Sequence, residues 1–157
     1  MNPNRYSQNL QYVIACAKDI SANMGTSYIG SEHLVYAMLV SPESTAFAIL
    51  SSSKVPADGF RRYLINSADP KSTISGFTPR TKHMFERAEA LAVEYGGDNA
   101  LAGTEHLLYA VMESPECLAM RILRALGVNM TLLAARLEMC VSGEKDDGDD
   151  DEDREEF

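Results

Sequence analysis

Two short motifs place a glutamate and a histidine side by side, and they are the parts of the sequence best suited to chemistry. Residues 30–33 read Gly-Ser-Glu-His, and residues 103–106 read Gly-Thr-Glu-His. A hydroxyl residue followed by glutamate is typical of a helix start, where the hydroxyl caps the helix and the carboxylate complements its dipole. The unpaired N–H groups of a helix start also bind anions, and a carboxylate binds a guanidinium through two hydrogen bonds. Each motif could therefore stabilise a helix start, or bind a group of both charges such as a modified guanidinium.

The geometry of these motifs disfavours catalysis. Neighbouring residues of a helix point about 100° apart, so Glu32 and His33 do not converge on one substrate. His33 and His106 occupy equivalent positions, and we expect each imidazole to close a hydrogen bond at a helix start. The sequence has no GxxxxGKS/T phosphate loop, HExxH, GxSxG or EF-hand motif, and its three cysteines lack the spacing of a zinc site. We therefore expect a binding protein rather than an enzyme, with no cofactor and no metal ion.

Both motifs belong to a longer internal repeat. The segment 30–37 returns as 103–110, and the segment 41–43 returns as 114–116 in the same register. Repetition on this scale indicates two copies of one structural unit. We infer a pseudo-twofold body in which each copy buries apolar surface against the other.

Upstream of the motifs the register of the repeat changes. Tyr6 and Ser7 match Phe77 and Thr78. The distance along the sequence between these matched residues is two residues shorter than the distance between the two motifs. The second copy must therefore contain two extra residues, and the glycine-rich stretch 96–99 favours a longer loop there. We predict one folded region over 5–141, with repeat one over about 6–65, a linker over 66–76 and repeat two over about 77–138.

Apolar residues recur at helical spacing in both copies, and we find no convincing strand. In the first copy Leu10, Val13 and Ala17 share one face of a helix predicted over 7–24. We expect Ser31 to cap the second helix of this copy. The predicted fold is all-α, with two four-helix repeats and about eight helices. The other helices are predicted to begin at Ser31 and Pro42, and to span 57–65, 79–95, 104–113, 115–126 and 130–141.

Negative charge is concentrated at the end of the chain. The 157 residues have a formal net charge of −9, and residues 144–157 contain ten acids and two bases. This segment has one aromatic and no aliphatic residue, so we predict that 142–157 is a disordered acidic linker or tail. A role of the tail in recognition stays open.

The composition also disfavours several classes of protein. A net negative charge argues against nucleic-acid binding, which needs a basic face. No apolar stretch approaches the roughly 18 residues of a membrane helix, and the N-terminus lacks an apolar signal core. We therefore expect a cytoplasmic protein that binds no membrane, with reduced cysteines that fill small spaces in the core.

The repeated motif resembles the Clp N-terminal domain, which contains two Clp repeats. The resemblance rests on Gly-Ser/Thr-Glu-His-Leu at 30–34 and 103–107, on Phe-Thr-Pro-Arg at 77–80 and on Leu-Arg-Ala-Leu-Gly-Val at 123–128. It covers roughly residues 5–141. Within this family the sequence is most similar to the ClpC branch, whose members are AAA+ unfoldases.

The resemblance implies a function in recognition. Domains of this family stand before ATPase rings and receive substrates and adaptor proteins for unfolding and delivery to the ClpP peptidase. In the ClpC branch the domain binds arginine-phosphorylated proteins at two equivalent sites. Applied to this sequence, the resemblance implies that Glu32 and Glu105 contact the guanidinium. The amides of 30–32 and 103–105 would donate to the phosphate, and a hydroxyl would lie beside the phosphate in each site. The implied phosphoarginine-binding residues are Ser7, Gly30, Ser31, Glu32, Thr78, Gly103, Thr104 and Glu105.

The sequence departs from the family pattern at a few positions. Ser7 and Ser31 replace threonine and keep the hydroxyl, whereas Leu101 and Ala102 replace an aromatic residue and isoleucine. The leading hypothesis is the substrate- and adaptor-binding domain of a ClpC-like unfoldase, with the acidic segment leading to its first ATPase ring. The alternatives are a stand-alone Clp-repeat accessory protein that modulates a Clp complex, and a purely structural dimerisation unit without a ligand.

Overall fold

Within the residues that the structure describes, eight α-helices in two sets of four form the fold, as the sequence predicts. The computed structural model describes residues 3–69 and 71–143, so most of the predicted tail over 142–157 lies outside the described residues. The helices are α1 (Gln8–Asn23), α2 (Ser31–Leu39), α3 (Thr45–Ser52), α4 (Ala57–Asn66), α5 (Pro79–Gly96), α6 (Thr104–Met112), α7 (Leu118–Ala125) and α8 (Met130–Ser142).

The second helix of each repeat lies at the centre of the fold. In α2, eight of the nine residues are buried, because this helix packs against α1 and α4 of its own repeat and against α6 and α7 of the other. The equivalent helix α6 packs against α5, α8 and α3 in the same way. Fully buried leucines such as Leu34 and Leu107 each contribute about 1.5–3 kcal/mol relative to exposure. In the described part of the chain, none of the helices combines the length and apolarity needed to cross a membrane.

Two very short strands join the repeats, and the prediction of a fold without strands is wrong in this detail. Strand β1 (Tyr28–Ile29) pairs in parallel with β2 (Gly76–Phe77). An equivalent parallel bridge joins Tyr6 to Ala102. Segments of two residues are too short to show an alternating pattern, so no signal in the sequence marks them. In each pair, the segment before the second helix of one repeat lies beside the segment before the first helix of the other.

The hydroxyls of the repeated motif also join the two repeats. Ser31 Oγ accepts a hydrogen bond from the Ala119 amide at 3.3 Å, and Thr104 Oγ1 accepts one from the Ala46 amide at 3.0 Å. These amides lie in the first turns of α7 and α3, so each hydroxyl satisfies a helix start of the opposite repeat. The expectation that Ser31 caps its own helix is therefore wrong, and Gly30 is the N-cap of α2.

The third helix of each repeat begins later than predicted. Helix α3 begins at Thr45 rather than Pro42, because Ser44 Oγ caps it by accepting a hydrogen bond from the Phe47 amide at 3.0 Å. The preceding residues form a turn in which the Ser44 amide donates to the Ser41 carbonyl at 3.0 Å. The equivalent turn delays α7 to Leu118.

The two extra residues of the second copy lengthen a helix, not a loop. Helix α5 has 18 residues, whereas the equivalent helix α1 has 16. The connections that follow, 24–27 and 97–100, are equal in length. The prediction of a longer loop before the second motif is therefore wrong. The connections that precede the two motifs have the same length.

The three cysteines differ in their surroundings. Cys117 is buried and Cys16 is half-buried, whereas Cys140 is exposed, so the prediction that the cysteines fill core space is wrong for Cys140. Cys117 is the N-cap residue of α7, at the position that Ser44 occupies before α3.

The cross-repeat caps should contribute measurably to stability. Replacing Ser31 with alanine leaves the buried Ala119 amide without an acceptor, and we expect the free energy of unfolding to fall by about 1–2 kcal/mol. Urea unfolding followed by circular dichroism measures this change. The control is Ser51→Ala, at an exposed position of α3, which should change stability by less than about 0.5 kcal/mol. Equal effects of the two substitutions would contradict the assignment.

Candidate functional site

The predicted site residues come together in two sets, and each set contains residues of both repeats. The Thr78 amide donates to the carbonyl of Ile29 at 3.1 Å, which brings the start of α5 beside the motif 30–32. The Ser7 amide donates to the carbonyl of Ala102 at 2.8 Å, which brings the start of α1 beside the motif 103–105. The first site consists of Gly30, Ser31, Glu32 and Thr78, and the second site of Gly103, Thr104, Glu105 and Ser7.

The glycine of each motif makes room for its glutamate. A Cβ atom on Gly30 would lie 2.9 Å from Glu32 Cδ and would collide with Glu32 Oε1. A Cβ atom on Gly103 would lie 3.0 Å from Glu105 Cδ and would collide with Glu105 Oε1. The φ angle of Gly30 is −111°, a value open to other residues, so it is the close approach that requires glycine here. Both carboxylates therefore fold back over the start of their own helix.

Glu32 is a buried carboxylate at a helix start. Its residue exposure is only 7%. Burial raises the pKa of Glu32, while hydrogen bonds from its own amide and from the Ser31 hydroxyl, together with the positive charge of Arg121, act in the opposite direction. A buried carboxylate that has lost hydration without gaining a close cation is suited to binding a positively charged ligand group.

Both histidines of the motifs have the predicted structural role. His33 Nδ1 accepts a hydrogen bond from the Gly30 amide at 3.0 Å, and His106 Nδ1 accepts one from the Gly103 amide at 2.8 Å. Each ring thereby satisfies the N-cap amide of its helix. Burial lowers the pKa of His33 to about 4, so this imidazole is neutral at pH 7. Burial also lowers the pKa of His106, and the charge of Glu105 opposes that effect.

The two sites are not equally buried. The Tyr28 ring lies edge-on to His33 with a centroid distance of 5.6 Å, and its hydroxyl accepts a hydrogen bond from the Asp69 amide. The position equivalent to Tyr28 in the second repeat is Leu101, which is 51% exposed. As a result Glu32 and its histidine are buried, whereas Glu105 and its histidine are half-buried.

The hydroxyls of Ser7 and Thr78 cap the helices that start beside the motifs. Ser7 Oγ accepts a hydrogen bond from the Leu10 amide at 3.1 Å, and Thr78 Oγ1 accepts one from the Thr81 amide at 3.2 Å. The Gln8 and Asn9 amides of α1 and the Arg80 amide of α5 have no partner within their helix, whereas Pro79 has no N–H. At the start of α2, by contrast, His33 accepts from the Gly30 amide and the Glu32 amide faces its own carboxylate. The starts of α1 and α5 therefore add amide donors beside those of the motifs.

Comparison with known proteins decides the family. Residues 5–100 and 76–153 match the family described as the Clp repeat (R) N-terminal domain. The chain belongs to this family. The two overlapping matches correspond to the two copies found in the sequence, and the eight-helix fold is that of a Clp N-terminal domain.

ClpC proteins are among the relatives of this Clp repeat domain. It is 27% identical over 129 residues to the negative regulator of genetic competence ClpC/MecB of Bacillus subtilis, with 80% of the chain aligned. It is also 27% identical over 139 residues, 85% of the chain, to the ATP-dependent Clp protease ATP-binding subunit ClpC of Staphylococcus aureus. The chain spans 16% of the length of each of these curated relatives.

Solved N-terminal domains share the fold of this Clp repeat domain. The N-terminal domain of the chaperone ClpD from Arabidopsis thaliana superposes with a TM-score of 0.70 at 21% identity, covering 89% of this chain and 99% of that one. The ClpV N-domain in complex with a VipB peptide gives a TM-score of 0.68 at 14% identity, covering 88% of each chain. The Hsp104 N-terminal domain from Candida albicans gives a TM-score of 0.70 at 12% identity, covering 89% of this chain and 93% of that one.

A double-mutant cycle tests whether position 30 requires glycine because of the nearby Glu32 carboxylate. We expect Gly30→Ala to lower the free energy of unfolding by about 1–2 kcal/mol, because the new methyl group displaces the Glu32 carboxylate. In a Glu32→Ala background the same substitution should be neutral or slightly stabilising, since alanine restricts the unfolded chain. Chemical unfolding of the four proteins measures the coupling, and a coupling energy near zero would contradict this role of Gly30.

The neutral His33 predicts a pH dependence of stability. The folded pKa of about 4 lies below the ordinary value of 6.5, so the unfolded chain binds the proton more readily. The contribution of His33 to stability is therefore complete above pH 6.5 and is lost as the pH falls from 6.5 to 4. We expect this loss to be about 3 kcal/mol.

Unfolding of the parent and of His33→Asn between pH 4 and pH 7 measures this effect. Asparagine keeps an acceptor for the Gly30 amide but does not titrate, so the variant should show a smaller loss of stability on acidification. Because the pKa of Glu32 is raised, its contribution to stability increases as the pH falls, opposite to that of His33. Glu32 is present in both proteins, so the comparison still reports on His33. The control is His83→Asn at an exposed histidine, and its effect on the profile should be smaller than that of His33→Asn. Identical profiles for the parent and His33→Asn would refute the assignment.

Proposed function

We propose that this chain is the substrate- and adaptor-receiving N-terminal domain of a ClpC-like, ATP-dependent protein unfoldase. Its family membership and its similarity to ClpC proteins support this role, and a relative in Staphylococcus aureus is described as an ATP-binding subunit of the Clp protease. We propose further that the domain recognises phosphoarginine on its substrates, that the ATPase rings and the ClpP peptidase act after it, and that it works in the cytoplasm.

The observation that carries this proposal is the arrangement of opposite charges in both sites. Each site places a carboxylate, Glu32 or Glu105, beside a helix start that is capped by a hydroxyl residue of the other repeat. Phosphoarginine carries a guanidinium joined directly to a phosphate, so its two charges are close together. A carboxylate suits the guanidinium, and a helix start suits the phosphate.

Each group of the proposed sites has a distinct part in binding. The carboxylate accepts hydrogen bonds from the guanidinium, which supplies the close cation that Glu32 lacks in the described structure. The Arg80 amide of α5, or the Gln8 and Asn9 amides of α1, donate to the phosphate oxygens, and the helix dipole stabilises the negative charge. The hydroxyls of Thr78 and Ser7 accept the capping hydrogen bonds. The Ser7 hydroxyl keeps a proton to donate, and the Thr78 hydroxyl can donate when the Thr81 hydroxyl, 2.7 Å away, serves as the donor between those two.

The remaining predicted site residues have supporting parts. Gly30 and Gly103 allow the carboxylates to fold back, while Ser31 and Thr104 fix each motif against the opposite repeat. Adaptor proteins would use other surfaces of the same domain. The ClpV N-domain, which shares this fold, is known in complex with a VipB peptide, and this supports peptide binding by the fold in general.

Calorimetric titration of the chain with free phosphoarginine tests the proposal. We expect saturable binding with a stoichiometry near two, and no comparable binding of arginine or phosphate alone, because each supplies only one of the two charges. Glu32→Gln and Glu105→Gln should each remove one site and should weaken binding there by at least tenfold, since a hydrogen bond to a charged group contributes about 1.5–3 kcal/mol.

Glu116→Gln serves as the matched control, because it neutralises an exposed glutamate outside both sites and should leave binding unchanged. Thermal unfolding of every variant shows whether it is folded. A folded double variant, Glu32→Gln with Glu105→Gln, that bound phosphoarginine as tightly as the parent would disprove the assigned sites. Absence of binding by the parent would disprove phosphoarginine recognition.

A further inference from the structure

The proposed function leaves a groove beside the second site without a role. Its volume is about 500 Å³, which is within the range of ligand pockets. One wall is α1, with Gln8, Asn9 and Tyr12, and the other is the turn 41–44 that precedes α3. In the proposed function the amides of Gln8 and Asn9 also bind the phosphate at the second site, so the groove and the site share one edge.

An exposed aromatic ring distinguishes the wall formed by α1. Tyr12 is 63% exposed, the highest value among the large apolar residues that the structure describes. Pro42 lies on the opposite wall and is also exposed. Tyrosine is enriched where proteins bind their partners, and aromatic rings gain energy from packing against other rings. The two rings therefore favour an aromatic side chain as the occupant of the groove.

Hydrogen bonds within the chain hold the groove in shape. The Asn9 side-chain amide donates to the Glu43 carbonyl at 3.1 Å and joins the two walls. In the turn, the Ser44 amide donates to the Ser41 carbonyl at 3.0 Å, and the Ser41 hydroxyl donates to the Ala37 carbonyl at 2.6 Å. Because these groups are already ordered, a ligand binds without the entropic cost of ordering the walls.

The charge of the groove selects against acidic occupants. Among the described residues that line it, Glu43 is the only charged one, and it is exposed. Like charges that meet across an interface are unfavourable, whereas a neutral ring carries no such cost. The groove therefore suits a neutral aromatic side chain better than an aspartate or a glutamate.

The equivalent groove beside the first site has a different shape. It lies between α5 and the end of α6, and its volume is about 310 Å³. His83 takes the place of Tyr12 in the register that aligns α1 with α5. Arg87 Nε donates to Glu113 Oε1 at 2.9 Å, and this ion pair joins the two walls. None of the described residues that line this groove is a tyrosine or a phenylalanine.

The distance along α1 determines which substrate residue reaches the groove. Tyr12 lies four residues after Gln8, which corresponds to about 6 Å along the helix axis. An extended peptide advances about 3.3 Å per residue, so two residues cover this distance. A side chain close to the phosphoarginine in sequence can therefore reach Tyr12 while the phosphate lies at the start of α1.

We propose that the groove formed by Gln8, Asn9, Tyr12 and the turn 41–44 binds an aromatic side chain of the substrate, one or two residues from the phosphoarginine. The aromatic ring packs against Tyr12 and Pro42. This inference rests on the proposed function and adds a sequence preference to the second site alone.

Peptide binding to a chain with one intact site tests the inference. Glu32→Gln leaves only the second site. The probes are Gly-Gly-phosphoarginine-Gly-Gly and four peptides in which phenylalanine replaces one glycine at a time. In calorimetric titrations we expect phenylalanine in at least one position to strengthen binding by about fivefold, because aromatic contacts contribute beyond the area that they bury. Aspartate in the same position should not strengthen binding, because Glu43 repels it.

Substitution of Tyr12 gives the sharper comparison. In the Glu32→Gln chain, Tyr12→Ala should remove the gain from phenylalanine, whereas Tyr12→Phe should keep it, because the ring remains. The matched control is Tyr63→Ala, at an exposed tyrosine of α4 outside the groove, which should also keep the gain. In the Glu105→Gln chain, which retains only the first site, phenylalanine should change the affinity by less than about twofold.

The outcomes separate this inference from the function on which it rests. If the Glu32→Gln chain binds the glycine peptide but phenylalanine gives no gain, or if the gain persists in Tyr12→Ala, the inference is wrong and the proposed function stands. An equal gain at the isolated first site has the same meaning. Thermal unfolding shows whether Tyr12→Ala is folded, and if it is not, Pro42→Ala on the opposite wall provides the same comparison.

Two further outcomes also overturn the inference. If the parent binds the peptides but the Glu32→Gln chain binds none of them, the second site is not a binding site, and phosphoarginine recognition is left to the first site. If the parent binds neither phosphoarginine nor the peptides, the proposed function fails and the inference fails with it.

Discussion

The contact between the two repeats is the constraint on which the rest of the structure depends. Two buried hydroxyls, Ser31 and Thr104, each satisfy a helix start in the opposite repeat, and two short parallel pairings hold the preceding segments together. These bonds involve buried backbone groups, which are costly to leave without a partner. They fix α2 and α6 at the centre of the molecule and, with them, both glutamates.

The conflict between stability and binding is concentrated in the glutamates. Burial of a carboxylate is unfavourable, and Glu32 is tolerated because its own helix start, the Ser31 hydroxyl and the charge of Arg121 compensate part of the cost. The neighbouring imidazole of His33 satisfies the N-cap amide, so the carboxylate is not needed for that purpose. The motif thus divides its tasks: the hydroxyl joins the repeats, the histidine caps the helix, and the glutamate stays available.

The sequence predicts most of the helices, because their apolar residues recur with a period of 3.6 and their copies agree. It also predicts the histidine hydrogen bonds, since equivalent positions indicate an equivalent structural role. It could not reveal that Thr78 lies beside Glu32, because that pairing depends on a two-residue strand without a pattern of its own. The cap supplied by Ser31 was missed for a related reason: residue type predicts that a hydroxyl caps a helix, but not which helix.

The exchange of partners between repeats has a consequence for any chain that contains one repeat alone. Such a chain would carry a glutamate without its neighbouring helix start, and a helix start without its glutamate. Two copies related by a twofold axis would complete both sites at once, as the two halves of this chain do. The arrangement therefore favours a symmetric dimer as the ancestor, and fusion of its subunits would have freed the two sites to diverge, as Tyr28 and Leu101 have done.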